Sequence, residues 1–204
     1  PPVSAPGQPD PSAYLLRDPV MADVEPFARL HALVWQQTYR GLMDDEVVDG
    51  LSADTFRPLW YSVAQAYARD AVPADGRRIR VALLDDDPAG WLMCGPARDE
   101  DAPTPDQLWA LNVAPEHQGR GLGARLMAEV LGPGPAYRWL AEGNGRAVRF
   151  YERHGFVLDG TVSDERHAGV REARMVRRDR SAEHPGQAEQ EEHGEAREER
   201  QPRP

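Results

Sequence analysis

Two segments carry residue types whose spacing could do chemistry. The first is LNVAPEHQGRGLGARLM, residues 111–127. Its apolar start reads as a strand ending at Val113, Pro115 stops the strand, and Gln118-Gly119-Arg120-Gly121-Leu122-Gly123 leads into a helix. Glycines at such a junction let a backbone approach a ligand closely. Free N–H groups at a helix start, at the positive end of the macrodipole, suit a phosphate, and Arg120 and Arg125 would add charge. The spacing is neither the Gly-x-Gly-x-x-Gly of a dinucleotide site nor a P-loop, which needs Lys-Ser/Thr. A strand-to-helix turn without a ligand would use the same glycines.

The second segment is EGNGRAVRFYERHGF, residues 142–156. Asn144 can cap a helix. Ala147, Val148 and Tyr151 follow at three, four and seven residues, on about one face, and Gly155 is a natural helix stop. Taken alone, Tyr151 reads as a core aromatic; beside a ligand its phenol, with a pKa of ~10, is a weak acid.

The elements that must position these segments follow from the apolar periods. Val24, Phe27, Leu30, His31, Val34 and Trp35 predict a helix over 22–40 with Asp23 as its N-cap, and Phe56, Trp60, Val63 and Tyr67 predict another over 52–69 capped by Ser52. Residues 78–84 and 91–94 read as a hairpin around the turn residues 85–90. Residues 107–113 read as a strand in which Trp109 shares a face with Leu111 and Val113, and Leu108 with Ala110 and Asn112. A helix over 121–131, a strand over 137–141, a helix over 144–154 and strands at 156–158 and 171–176 complete a mixed α/β domain. A further first strand at 14–17 is compatible with the pattern.

Composition sets the limits. The 204 residues carry a formal charge of -10, which argues against a nucleic-acid-binding protein and is compatible with a cationic substrate. Residues 1–12 are Pro-rich, and 180–204 form a polar, acidic tail with no large apolar residue; both are expected to be disordered, leaving a domain at 13–179. Cys94, the single cysteine, excludes an internal disulfide and reads as a core residue. His31, His117, His154 and His167 show no metal-ligand spacing, and His117 is expected on the solvent side of its loop. No stretch approaches ~18 consecutive apolar residues, and the N-terminus lacks a basic-then-apolar signal. The expectation is a cytoplasmic protein with no membrane partner, a monomer or homodimer.

The two segments together resemble the GNAT superfamily of N-acetyltransferases. QGRGLG is similar to its Gln/Arg-x-x-Gly-x-Gly/Ala acyl-CoA loop, and NGRAVRFYERHGF to its later Asn-x-x-Ala-x-x-Phe-Tyr-x-x-x-Gly-Phe segment. LWALNV resembles the family's fourth strand, and HALVWQQTYRGL the N-terminal helix of a bacterial subgroup. The resemblance spans roughly 14–178. It implies a mostly antiparallel mixed sheet, flanked by helices, whose fourth and fifth strands splay, usually at a bulge, around the pantetheine arm of acetyl-CoA. The backbone of Leu111, Asn112 and Val113 would pair with the arm, one N–H serving as oxyanion donor. Gln118, Gly119, Arg120, Gly121, Leu122 and Gly123 would hold the pyrophosphate, Asn144 the arm from the other side, and Tyr151 would protonate the leaving thiolate.

The resemblance assigns no general base. Many relatives have Glu where this chain has Gln107, which cannot accept a proton; Asp106 and Glu142 lie nearby. The implied activity is acetyl transfer to a small-molecule amine, with the acidic balance slightly favouring a polyamine or aminoglycoside. A catalytically silent acyl-CoA-binding module and an enzyme acting on protein amines are the alternatives.

Overall fold

The structure, a computed structural model, describes residues 10–70, 73–167 and 170–179, with the side chains of 164–167 left out. The 180–204 tail and residues 1–9 therefore lie outside the described residues. The elements are β1 (Leu15–Arg17), α1 (Val24–Tyr39), α2 (Asp45–Gly50), α3 (Ala53–Arg69), β2 (Arg78–Leu84), β3 (Asp87–Pro96), β4 (Asp106–Val113), α4 (Leu122–Leu126), β5 (Ala136–Ala141), α5 (Gly145–Glu152), β6 (Val157–His167) and β7 (Val170–Arg177). They form one seven-stranded sheet in the order β1-β2-β3-β4-β5-β7-β6, antiparallel except for the β4–β5 step. Every predicted helix and strand is present, including β1.

Helices α1 and α3 cover one face of the sheet. Phe27, Phe56, Trp60 and Val63 pack there on Ile79, Val81, Trp91 and Met93. Helices α4 and α5 cover the other, where Leu122, Leu126 and Tyr151 pack on Leu92, Leu108 and Leu140. The 3.6-residue period of the helices and the two-residue period of β2 and β3 put the apolar sets on these faces.

Several boundaries differ from the sequence expectation for physical reasons. Asp23 does not cap α1 with its side chain; its buried carboxylate accepts from Arg17 at 2.6 and 2.8 Å and from the Val20 N–H at 2.7 Å, tying β1 to the start of the helix. The hairpin turn is tighter than 85–90. Asp85 and Asp86 take positive φ (51° and 69°), and Asp87 already belongs to β3. Two left-handed residues match the right-handed twist of the strands they join. The helix expected over 121–131 is α for Leu122–Leu126 and a π turn for Met127–Leu131.

The most consequential difference is in β4. Register with β3 runs Met93↔Ala110 and then Cys94↔Leu108, so Trp109 is an extra residue, a β-bulge. Trp109 and Ala110 consequently both face the α1/α3 side, while Leu108, Leu111 and Val113 face the other. Trp109 therefore does not share a face with Leu111 and Val113. Beyond the bulge β4 leaves β5: their ladder holds only Gln107↔Tyr137. From Leu108 to Val113 the β4 edge that faces β5 has no strand partner.

Candidate active site

The splay between β4 and β5 opens a cleft of about 740 Å³. Its walls are the end of β4, the loop after it, the first turn of α4, the inner face of α5, part of β5 and the C-terminal end of α1. Leu111, Asn112, Val113, Gln118, Gly119, Gly121, Leu122, Gly123, Asn144 and Tyr151 all line it; of the predicted site residues only Arg120 does not. Residues more than thirty positions apart in the chain are thus brought to one cavity.

The loop is shaped by its backbone. Gly121 has φ +79°, which a side chain rarely tolerates, and its position leads directly into Leu122. Leu122 itself is buried in the core, so only its backbone can serve the cleft. The Gln118 amide donates to the Val113 carbonyl at 3.0 Å and anchors the loop to the strand end. Arg125 turns away from the loop: Nη1 donates to the carbonyls of Pro11 and Tyr14 at 2.5 and 2.7 Å, so a phosphate role expected for it is not what its side chain is doing here. His117 lies on the cleft wall rather than on the solvent side, its Nδ1 3.1 Å from the Tyr14 hydroxyl, and burial lowers its pKa.

Across the cleft, the Asn144 side chain accepts from the Ala147 N–H at 3.1 Å and caps α5. Gly155 takes positive φ, and the Phe156 N–H closes the helix on the Tyr151 carbonyl at 3.0 Å. Both ends of α5 follow the sequence expectation, and they fix the rotation that turns Tyr151 inward. Tyr151 is 3% exposed. Burial raises its pKa, while the charge and hydrogen bond of Arg138 oppose that rise.

Arg138 is the functional candidate that sequence reasoning missed. It stands on β5 with its guanidinium 4.3 Å from the Tyr151 ring centroid, and Nη1 donates to the Tyr151 hydroxyl. The signal was a lone cation inside the apolar strand AYRWLA. Tyr39, from the end of α1, is a second buried phenol on the wall; burial raises its pKa and Arg138 again opposes the rise.

Neither candidate base, Asp106 or Glu142, lines the cleft, and Gln107, which stands where many relatives have Glu, does not line it either. The buried Gln107 accepts from the Arg98 N–H at 3.1 Å, Asp106 is held by Arg78 at 2.8 Å, and Glu142 lies 3.4 Å from Arg171. Among the described residues no Asp or Glu lines the cleft, whereas Arg138, Arg146 and Arg153 do. No group of three or more metal-ligating side chains occurs among the described residues. Cys94 is buried, which raises its thiol pKa, as for a core residue. No helix among the described residues is long and apolar enough to cross a membrane.

A mixed sheet opened between its fourth and fifth strands, with a glycine loop beside the opening, defines the architecture of an acyl-CoA N-acyltransferase. Comparison with known proteins narrows it further: the chain belongs to the GNAT family of acetyltransferases, whose family model matches residues 35–156. A protein named Probable N-acetyltransferase from Mycobacterium tuberculosis is 32% identical over 155 residues, covering 74% of this chain and 83% of that one. Among solved structures, the PaiA N-acetyltransferase of Thermoplasma acidophilum, in complex with coenzyme A, aligns with a TM-score of 0.63 at 15% identity, over 81% of this chain and 99% of that one. A Pyrococcus horikoshii protein aligns with a TM-score of 0.58 at 20% identity, over 81% and 98%.

Proposed function

We propose that the protein transfers an acetyl group from acetyl-CoA to a primary amine by direct attack within a ternary complex. The observation that carries the proposal is the unpartnered edge of β4 facing Tyr151 across a single cleft whose far wall is the glycine loop. A free strand edge offers N–H and C=O groups in a row, which is what an extended amide-containing arm needs. In this reading the backbone of Leu111, Asn112 and Val113 binds the arm and supplies an oxyanion donor. The loop from Gln118 to Gly123 takes the pyrophosphate through backbone N–H groups, with Arg120, off the cleft wall, adding charge only at a distance. Asn144 closes on the arm from α5. The coenzyme A complex of the Thermoplasma relative supports the cofactor assignment at the level of the fold.

Tyr151 serves as general acid. As the carbon–sulfur bond breaks, the sulfur takes the electron pair and receives the phenolic proton. A raised pKa keeps Tyr151 protonated at neutral pH, so the proton is there to give.

The acceptor is read from the cleft rather than from the whole chain. With arginines and no carboxylate on the described wall, a polyamine or aminoglycoside would meet repulsion. The charge pattern favours an amine that arrives neutral or carries its own negative group, which also lessens the need for a general base. The domain bounds are proposed at 13–179, with one qualification from the fold: a cut before residue 13 removes the Pro11 carbonyl that Arg125 bonds.

A panel of neutral, zwitterionic and polycationic amines with acetyl-CoA, followed by thiol release, tests the function. Binding of acetyl-CoA without thiol release for any amine would leave an acyl-CoA-binding module instead. With a working amine, Tyr151→Phe keeps the ring and deletes the proton donor. It is expected to lower kcat by at least about tenfold, a positioned acid contributing ~10²–10⁴-fold, with acetyl-CoA affinity and Tm near wild type. Full kcat where chemistry is rate-limiting sinks the general-acid role.

A further inference from the structure

We infer that Arg138 is a positioning residue for thiol release: its guanidinium holds the Tyr151 oxygen as a hydrogen-bond acceptor, so that the phenolic hydrogen is left to point into the cleft. This rests on the proposed role of Tyr151.

The geometry is specific. Arg138 lies on the same side of β5 as Ala136 and Leu140, which belong to the core beneath α5. Its Nε and Nη2 both donate to the Trp139 carbonyl, at 3.0 and 2.8 Å, which fixes the plane of the guanidinium. That leaves Nη1 aimed at Tyr151. A guanidinium has donors and no acceptor, so the Tyr151 oxygen must be the acceptor in this contact. The phenol has one hydrogen, and that hydrogen cannot also go to Arg138.

Arg138 makes no ion pair with a carboxylate among the described residues. It is partly exposed on the cleft wall, and the groups its charge meets there are phenols. The titratable and charged groups around Tyr151 are Arg138 from β5 and Tyr39 from α1, the latter also feeling Glu172 from β7, with Phe150 and Phe156 supplying apolar edges at 5.0 and 5.6 Å. Burial makes the phenol a weaker acid, and Arg138 works against that burial.

The step balances. The Tyr151 O–H bond breaks, the S–H bond forms, and a phenolate remains beside the guanidinium, which stabilises it. The newly acylated nitrogen loses its surplus proton to water, and the phenolate takes one back from water. Arg146 in α5 and Arg153 just past its end also line the cleft, but among the described residues only Arg138 bonds the Tyr151 oxygen.

The test uses the full chain as wild type, Arg138→Met, Tyr151→Phe and the double variant, with Arg138→Lys as the conservative replacement. Tm and acetyl-CoA Kd establish that each is folded and loaded. Arg138→Met is expected to lower kcat by about tenfold or more, with acceptor KM and acetyl-CoA Kd within about twofold, and to add little on the Tyr151→Phe background. The alkaline limb of kcat should move to higher pH. So should the tyrosinate absorbance assigned to Tyr151 by subtracting the Tyr151→Phe titration, which needs no turnover. Arg138→Lys should recover part of kcat.

Three results overturn the inference. Equal losses with and without the Tyr151 hydroxyl would make the two residues independent. A rise in acceptor KM with kcat preserved would make Arg138 a site for an anionic group on the acceptor. An unmoved tyrosinate titration in folded Arg138→Met would remove the coupling. Full kcat in Tyr151→Phe is a separate failure, of the general-acid reading itself.

Discussion

The two faces of the sheet are built from different materials. Beneath α1 and α3 the core is ring-packed: His31 stacks on Phe56 at 3.8 Å, and Phe27, Trp60 and Trp91 meet with centroids 5.0 to 6.3 Å apart. That face also buries His31 Nδ1, Trp60 Nε1 and Trp91 Nε1 without a protein partner among the described residues. Beneath α4 and α5 the core is mainly aliphatic, with Leu92, Leu108, Leu122, Leu126 and Leu140. There the polar features are backbone: an open strand edge, a glycine loop, two helix ends. One face holds the shape by side-chain volume, and the other leaves room by omitting side chains. Damage to the first should therefore appear as lost stability, and damage to the second as lost affinity.

The largest expected effect is on the ring-packed face. Trp60→Ala should cost ~3–5 kcal/mol in denaturant unfolding, because Trp60 is 1% exposed and packed among the rings of Phe27, His31 and Trp91. At a temperature where the variant is still folded, its acetyl-CoA affinity should match wild type. A parallel loss of affinity would mean that the faces are not separable.

His31 sharpens the contrast through pH. Burial lowers its pKa from 6.5 to about 3. The unfolded chain takes up the proton near pH 6.5 while the folded protein refuses it until about pH 3, so stability is lost as pH falls through that window, by up to ~1.4 kcal/mol per unit. Measured between pH 5 and 6.5, above the carboxylate range, wild type should lose stability more steeply than His31→Phe by about one proton. Equal slopes would place the His31 proton elsewhere.

The smallest effect in energy falls on the other face. Gly121→Val forces a branched side chain to φ +79° and brings a Cβ to 2.9 Å from the Pro11 ring. Acetyl-CoA Kd should rise by at least about tenfold, ~1.4 kcal/mol, while the sheet stays folded. Unchanged affinity in a folded variant would take the cofactor from this loop.

What could be read from sequence follows the same division. Gly121, Asn144 and Gly155 announce themselves because each answers a local backbone demand, so the loop and both ends of α5 were legible. The bulge at Trp109 was not, because Trp-Ala-Leu is apolar whichever way its faces are counted. Helix α2 escaped because DEVVDG is short and acidic and buries only Val48. The Tyr14–His117 contact and the Arg125 bonds to Pro11 and Tyr14 join residues more than a hundred positions apart, and no local pattern encodes them. Arg138 lay in plain sight, but its importance depends on Tyr151 standing over it, which only the fold decides.

The bulge also determines which kinds of genetic change β4 can absorb. Residues 106–113 face β3 with one residue more than the partner strand uses, and Trp109 is that residue. Exchanging one apolar side chain for another leaves the count alone, so the strand can drift in identity. Deleting a single codon between 107 and 110 would not. Without the extra residue the strand would pair with β3 one to one, Leu108 and Ala110 falling next to each other opposite Cys94 and Met93, and the stretch that now diverges from β5 would be drawn back toward it. The gap is thus written in the length of the strand rather than in its letters, and an in-frame deletion here would close it more surely than a substitution.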